Sequence, residues 1–263
     1  MARYSGMDFR NRVYLVTGAT HGIGAEIALQ IDRLGGDVIA IGRSETAAAE
    51  LRSKSINKRI EFIKTDLSKI DEIKALQTRI EKLPKLNGVV NNASRNSRFS
   101  VLDCELEEWN TMLNLNLTAP FLISKSAAKV MISNKEKGRI INIGAVQALS
   151  PLNSSIAYST TKGGLISMSR SLAVDLSKNG ILVTTVIPGP ILTRGDSSGI
   201  GDGSKVVAAT LLSRMGKPEE VSSLVCFLLS EENTFMTGNE IIIDGGRLIS
   251  RKPDPSEITS GVI

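Results

Sequence analysis

Residues 13–24 read Val13-Tyr14-Leu15-Val16-Thr17-Gly18-Ala19-Thr20-His21-Gly22-Ile23-Gly24. A short β-branched and aromatic run ends in a glycine-spaced turn, and the patterned stretch from Ile23 to Leu34 follows as a helix. Glycines at such a strand–helix junction permit a tight turn and close backbone approach to a pyrophosphate. The helix N-terminus then adds free N–H groups and the positive end of its dipole. Glycine spacing alone is weak evidence, and its placement gives it weight.

The same alternation continues along the chain. Apolar runs recur at Val13–Thr17, Val38–Ile41, Ile60–Lys64, Gly88–Val90, Arg139–Ile143, Leu182–Ile187 and Glu240–Ile243. Between them lie the helix-like stretches Ile23–Leu34, Lys69–Leu83, Glu107–Ser133, Tyr158–Ser177 and Pro218–Leu229. Continuous apolar strands suit a sheet buried on both faces, and strand–helix alternation suits right-handed βαβ units. The expected fold is a three-layer α/β/α Rossmann sandwich, with seven parallel strands in one domain over residues 1–263. A Pro- and Gly-rich loop at about 190–215 reads as a lid, and the polar tail 247–263 as loosely ordered or packed on a neighbouring subunit.

Composition narrows the function. The 263 residues carry a net charge of +5, with 41% hydrophobic and 22% charged residues. The basic residues are scattered, with no run or nucleic-acid motif, so a solvated surface that mildly attracts anionic ligands is the simplest reading. No apolar stretch is long enough to span a bilayer and no signal-peptide core opens the chain. Two distant cysteines, Cys104 and Cys226, fit a reducing, cytoplasmic setting rather than a disulfide framework. The single His21 excludes a multi-histidine metal site, and no metal is expected.

At the end of the second strand an acidic residue would bind ribose hydroxyls and repel a 2′-phosphate. Here the segment is Ile41-Gly42-Arg43-Ser44. Arg43 can pair with a phosphate and Ser44 can donate to it, so NADP(H) is expected over NAD(H). Further on, Tyr158 and Lys162 stand four apart, on one face of a helix. An ammonium beside a phenol is expected to lower the phenol's pKa toward neutrality and fit it for proton transfer at a carbonyl.

Together these pieces resemble the short-chain dehydrogenase/reductase family from about residue 10 to 246. They are the Thr17–Gly24 turn, Asp66, Asn91-Asn92-Ala93, Asn116, Tyr158 with Lys162, Pro188-Gly189 and Asp244-Gly245-Gly246. The resemblance is greatest to the branch with 3-oxoacyl-carrier-protein reductases and sugar, polyol and secondary-metabolite reductases. It implies that Gly18, Thr20, His21, Ile23 and Gly24 line the pyrophosphate and ribose. It places Asp66 on the adenine amino group with Leu67 beside the ring, and Asn92 and Ala93 on the adenosine side. Asn116 would distort its helix and hold a water in a relay with Lys162, which also reaches the nicotinamide ribose. Tyr158 would be the acid/base, and Pro188, Gly189, Ile191 and Thr193 would hold the nicotinamide. A homotetramer is implied too, with contacts from helices near 105–133 and 155–178 and from the last strand. The expected reaction is reduction of a small ketone to a secondary alcohol, or the reverse.

One position departs from the pattern. The family places a catalytic serine after the fifth strand, and the corresponding residue here is Ala145 in Ile143-Gly144-Ala145-Val146-Gln147. Losing such a donor can cost on the order of 10²–10³ in rate. Ser94 also stands where the family has glycine. Three readings stay open. Another donor substitutes, from Gln147, Ser94, Ser154 or Ser155; a serine has been deliberately replaced; or the protein binds a dinucleotide with little or no turnover. Non-redox chemistry on the same scaffold is a further alternative. The retained Asn116, Tyr158 and Lys162 favour activity, with Gln147 expected to point into the pocket as the replacement and Ser155 to touch substrate.

Overall fold

The computed structural model describes residues 7–193 and 209–252. Seven strands form one parallel sheet: β1 (Val13–Thr17), β2 (Asp37–Gly42), β3 (Ile60–Lys64), β4 (Gly88–Asn91), β5 (Arg139–Ile143), β6 (Leu182–Pro188) and β7 (Glu240–Ile243). Their spatial order is β3-β2-β1-β4-β5-β6-β7. The expected Rossmann sandwich is the fold observed. Each central strand is buried along nearly all its length, which is why its sequence reads as a continuous apolar run rather than an alternation.

Helices cover both faces: α1 (Gly22–Arg33), α2 (Glu45–Lys54), α3 (Ile70–Ile80), α4 (Leu106–Leu113), α5 (Ala119–Ser133), α6 (Ile156–Leu176) and α7 (Pro218–Leu229). One apolar cluster lies where α1 and α7 pack on the sheet, through Ile27, Ile31, Val221 and Val225 against Tyr14 and Val16. A second fills the other face, through Ile73, Leu76, Ile123 and Ala127 against Leu15, Val89 and Ile140. The chain order reverses between β1 and β4, the switch point at which open α/β sheets hold ligands beyond their strand C-termini.

Two elements differ from the sequence reading. Helix α2 lies in a stretch for which no helix was expected, and Ser44 caps it by accepting from Ala47 N at 3.2 Å. The single helix expected over Glu107–Ser133 is broken by a π-helical turn, Asn114–Thr118. Pro120, at the start of α5, has no N–H to give to the carbonyl of Asn116 four residues back, so a regular ladder cannot run through this point.

Of the expected lid at 190–215, residues 194–208 lie outside the described residues. Its described ends are tied together, Leu192 N to Gly216 O at 2.8 Å and Gly216 N to Pro190 O at 2.9 Å. The expected tail beyond 252 also lies outside them. Among the described residues no helix is long and apolar enough to cross a membrane, and no group of His, Cys, Asp and Glu could hold a metal ion.

Candidate active site

Three loops meet at the switch point. The Thr17–Gly24 turn leaves β1, Asn92–Ser94 leaves β4, and Ala145–Ala148 leaves β5. The first two are locked together by side chains. Thr17 Oγ1 accepts from the N–H groups of Asn92 and Ala93 at 2.9 and 3.0 Å. Asn92 Nδ2 returns two bonds to the turn, to Thr17 O at 3.0 Å and Gly18 O at 3.2 Å. This approach dictates glycine. Gly18 has φ +61°, and a Cβ there would meet Ala93 Cα at 2.8 Å. A Cβ on Gly24 would run into both Asn92 Nδ2 and the Gly18 carbonyl oxygen.

The end of α1 is left open for an anion. Its N-cap, His21, makes no side-chain capping bond, and no acidic residue lies in the first turn. His21 is exposed, with Nδ1 3.0 Å from Thr20 Oγ1. Thr193 reaches the same place from the loop after β6, where its methyl packs against Gly22. Gly189 is held by its N–H to Ile243 O at 3.0 Å, and Ile191 packs on the core below. Glycine-rich turn, uncapped helix start and converging backbone loops are the donor set a pyrophosphate needs, so these residues fit a dinucleotide.

At the far side of β2, Arg43 is exposed and has no ion pair among the described residues. Ser44 is engaged as a cap acceptor, which leaves its hydroxyl proton free to donate. Asp66 accepts from Ser68 N and Oγ at 3.0 and 2.7 Å, both through Oδ1. Partial burial raises its pKa, but the Ser68 bonds and nearby Arg43 and Lys69 outweigh this and hold the carboxyl below its ordinary value.

The chemistry-bearing helix is α6. Tyr158 and Lys162 are 8% and 2% exposed, with Lys162 Nζ 5.8 Å from the centre of the phenol ring. Nζ donates to Ile143 O at the end of β5, at 2.7 Å. Asn116, 1% exposed in the π-turn, faces them with a saturated amide. Its Oδ1 accepts from Arg95 N at 3.0 Å and Ser94 Oγ at 3.2 Å. Its Nδ2 donates to Arg95 O and to Thr161 Oγ1, each at 3.1 Å. The amide side chain therefore has neither a donor nor an acceptor left over for a water.

The pair's acidities run opposite to the expectation. Burial pushes Tyr158 up to about 12, with the Ser94 side chain acting in the opposite direction. Burial pulls Lys162 down to about 7. Desolvation penalises whichever form is charged, and here it outweighs the mutual attraction that the sequence suggested. The site therefore holds a protonated phenol at neutral pH.

Several expected site residues are employed differently. Leu67 is 4% exposed and belongs to the core between β2, β3 and α3, not to an open adenine face. The Asn92 amide is spent on the glycine turn. Ser155 donates to Leu152 O and shares a 2.9 Å bond with Ser159. It lines a cavity of about 470 Å³ with Phe99, Leu152 and Thr160. Gln147 lines a separate space of about 90 Å³ together with Gly189 and Pro190, on the loop expected to hold the nicotinamide, and with Arg247. Ala145, 5% exposed, packs its methyl with Tyr158, Met112 and Ala157.

A family model described as enoyl-(acyl carrier protein) reductase matches residues 18–247. The 3-oxoacyl-[acyl-carrier-protein] reductase of a Synechocystis species is 32% identical over 243 residues, covering 90% of this chain and 97% of that protein. L-rhamnose 1-dehydrogenase (NADP(+)) of Thermoplasma acidophilum is 30% identical over 251 residues, covering 93% and 99%. A solved structure described as a short chain dehydrogenase/reductase family protein superposes with TM-score 0.85 at 29% identity, covering 93% of this chain and all of that one. The chain belongs to the short-chain dehydrogenase/reductase family, whose members are oxidoreductases that bind nicotinamide dinucleotides.

Proposed function

We propose that this protein uses NADP(H) to reduce a small ketone to a secondary alcohol, or runs the reverse oxidation, with Tyr158 as the acid/base. The observation that carries the reading is the buried Tyr158–Lys162 pair on α6, at the same sheet edge as the Thr17–Gly24 turn. Burying two ionisable groups costs stability and brings no packing that apolar residues would not bring, which points to chemistry.

When bound, the nicotinamide supplies or takes the hydride. The chain's own residues bind, orient and move the proton. Gly18, Thr20, His21, Ile23 and Gly24, with the start of α1, hold the pyrophosphate. Arg43 and Ser44 take the 2′-phosphate of NADP(H). Asp66 has Oδ2 available for the adenine amino group, and the main chain at Ala93 stands on the adenosine side. Pro188, Gly189, Ile191 and Thr193 flank the nicotinamide. A phenol held near pKa 12 keeps its proton at neutral pH and gives it to a more basic oxygen, such as a developing alkoxide. Lys162 orients the tyrosine helix against β5, and a water on the main chain of Asn116 passes protons on toward Nζ.

Replacing Tyr158 by Phe tests the reading: turnover on a ketone panel is lost while NADPH fluorescence titration is nearly unchanged. A Phe variant with wild-type rates removes Tyr158 from the mechanism. Ala145 favours a second reading, a dinucleotide binder without turnover, and tight NADPH binding with no activity across that panel selects it. Assembly as a homotetramer forms part of the proposal, supported by exposed Leu106, Phe121, Val174 and Ile242 on the expected contact elements. Light scattering checks it.

A further inference from the structure

The basic residues are scattered along the chain, but the fold gathers six of them around one cavity. Arg10, Arg12, Lys85, Lys135, Lys137 and Arg139 line a space of about 680 Å³. It lies at the opposite end of the sheet from the Tyr158 site. Arg12 precedes β1, Asn87 precedes β4, Arg139 opens β5 and Leu182 opens β6, and all four line it. The Thr17–Gly24 turn and Ile143, whose carbonyl holds Lys162, stand at the other ends of those strands.

Half of these cations have a carboxylate. Arg10 pairs with Asp8, Arg12 with Glu231, and Lys85 with Glu136 at 3.4 Å. Lys135, Lys137 and Arg139 share the short link from α5 to β5, and none of them has an ion pair among the described residues. Arg139 is 7% exposed and keeps its charge at any ordinary pH. It donates to Lys137 O and Gly138 O, each at 3.1 Å, and to Asn233 O at 2.8 Å, while its Nε is buried with no partner. Carbonyl oxygens satisfy N–H donors without cancelling the charge, so a buried cation is left without a counter-ion, which is costly. Both lysines are exposed. Lys135 sits at φ +55°, in the left-handed position after the cap of α5 that usually falls to glycine.

Helix ends account for part of this charge. Three helices finish on the cavity: α5 at Lys135, α7 at Ser230, and α6, through the short turn Ser177–Asn179, at Gly180. Each end carries about half a negative charge. Taken with Glu136, Glu231 and Asp8, they offset all but about 1.5 of the positive charges. A phosphate monoester, at about −1.5 to −2 near neutral pH, matches that remainder. The volume also falls in the range of roughly 300–1,000 Å³ that holds a small organic ligand, well beyond what a bare ion fills.

We propose that this cavity is a binding site for a small organic phosphate monoester, with Lys135 and Lys137 on the phosphate and Arg139 adding its fixed charge. The site is separate from the nucleotide turn and does not rest on the acid/base reading of Tyr158.

The test uses the full chain saturated with NADPH, so that the nucleotide turn is filled, with phenyl phosphate as the probe, followed by phosphorus NMR at low salt. The wild type is expected to bind one equivalent saturably. Lys135→Gln with Lys137→Gln weakens binding about tenfold or more, the worth of a hydrogen bond to a charged group. Lys54→Gln with Lys58→Gln removes the same charge away from the cavity and leaves binding unchanged. Inorganic phosphate, titrated in parallel, binds more weakly because it fills less of the space. Circular dichroism checks the fold of each variant; all four lysines are exposed. No saturable binding by the wild type overturns the proposal. Equal binding by the two double variants overturns it as well, since that outcome means an adventitious ion only. Tighter binding of inorganic phosphate than of phenyl phosphate overturns the assignment to an ester.

Discussion

Replacing Lys162 by Met separates the cost of a buried amine from its benefit. The side chain is 2% exposed, and burial lowers its pKa from 10.5 to about 7. Between those two values the unfolded chain binds a proton that the folded chain does not, so stability rises with pH across this window. Below about pH 7 the amine is charged in both states and the folded state carries the full penalty. At about pH 7 the penalty relative to a neutral amine is about 4 kcal/mol, and by about pH 9 it has fallen to about 2 kcal/mol. The Met variant lacks the titration altogether. It also leaves Ile143 O without its 2.7 Å donor, at a cost of about 1–3 kcal/mol that does not depend on pH. The variant is thus expected to exceed the wild type by about 1–3 kcal/mol near pH 7, and that advantage shrinks by about 2 kcal/mol on going to pH 9. Urea unfolding of both proteins at the two pH values measures this, because every other titrating group is shared. A stability difference that does not change between the two pH values would show that Lys162 keeps an ordinary pKa, and the desolvation argument for the whole pair would fall with it.

Arg43→Gln is expected to weaken NADPH binding about tenfold to a hundredfold, the range for a bond to a charged group, and to leave NADH binding unchanged. Equal losses for both nucleotides in fluorescence titration would take Arg43 off the 2′-phosphate. Gly24→Ala drives a methyl into the Gly18 carbonyl oxygen and Asn92 Nδ2, and is expected to cost about 1–3 kcal/mol in urea unfolding. The same variant should lose binding of both nucleotides, since the distorted turn serves both.

The sheet was legible because burial leaves a mark on sequence. Strands covered on both faces carry apolar runs without alternation, as Tyr14–Val16 in β1, Val89–Val90 in β4 and Ile140–Ile141 in β5 do. The Thr17–Gly24 turn was legible as a ligand loop, but its glycines answer first to Asn92, an amide some seventy residues away that no local reading could supply. Helix α2 carries its own signals in Ser44, Glu45 and the alanines at 47–49, which a reading of Arg43 and Ser44 as phosphate ligands passed over. Pro120 was the visible sign of the break before α5, since a proline inside a helical pattern marks a lost bond one turn back. The acidities of Tyr158 and Lys162 were not legible at all. Spacing says that two groups share a helix face, while their pKa values depend on how much water each retains, and that is set by β5, the π-turn and the loop after β4 together.

The loops that set that burial are themselves tied to the glycine turn. Thr17 Oγ1 holds the N–H groups of Asn92 and Ala93, and Asn92 Nδ2 returns to Thr17 O and Gly18 O. Two residues on, Asn116 holds both main-chain groups of Arg95 and donates to Thr161 on the tyrosine helix. The nucleotide turn and the wall of the tyrosine site therefore hang from one connected set of bonds. Thr17→Val, which removes the shared acceptor, should thus disturb NADPH affinity and turnover together, whereas two independent sites would let one change without the other.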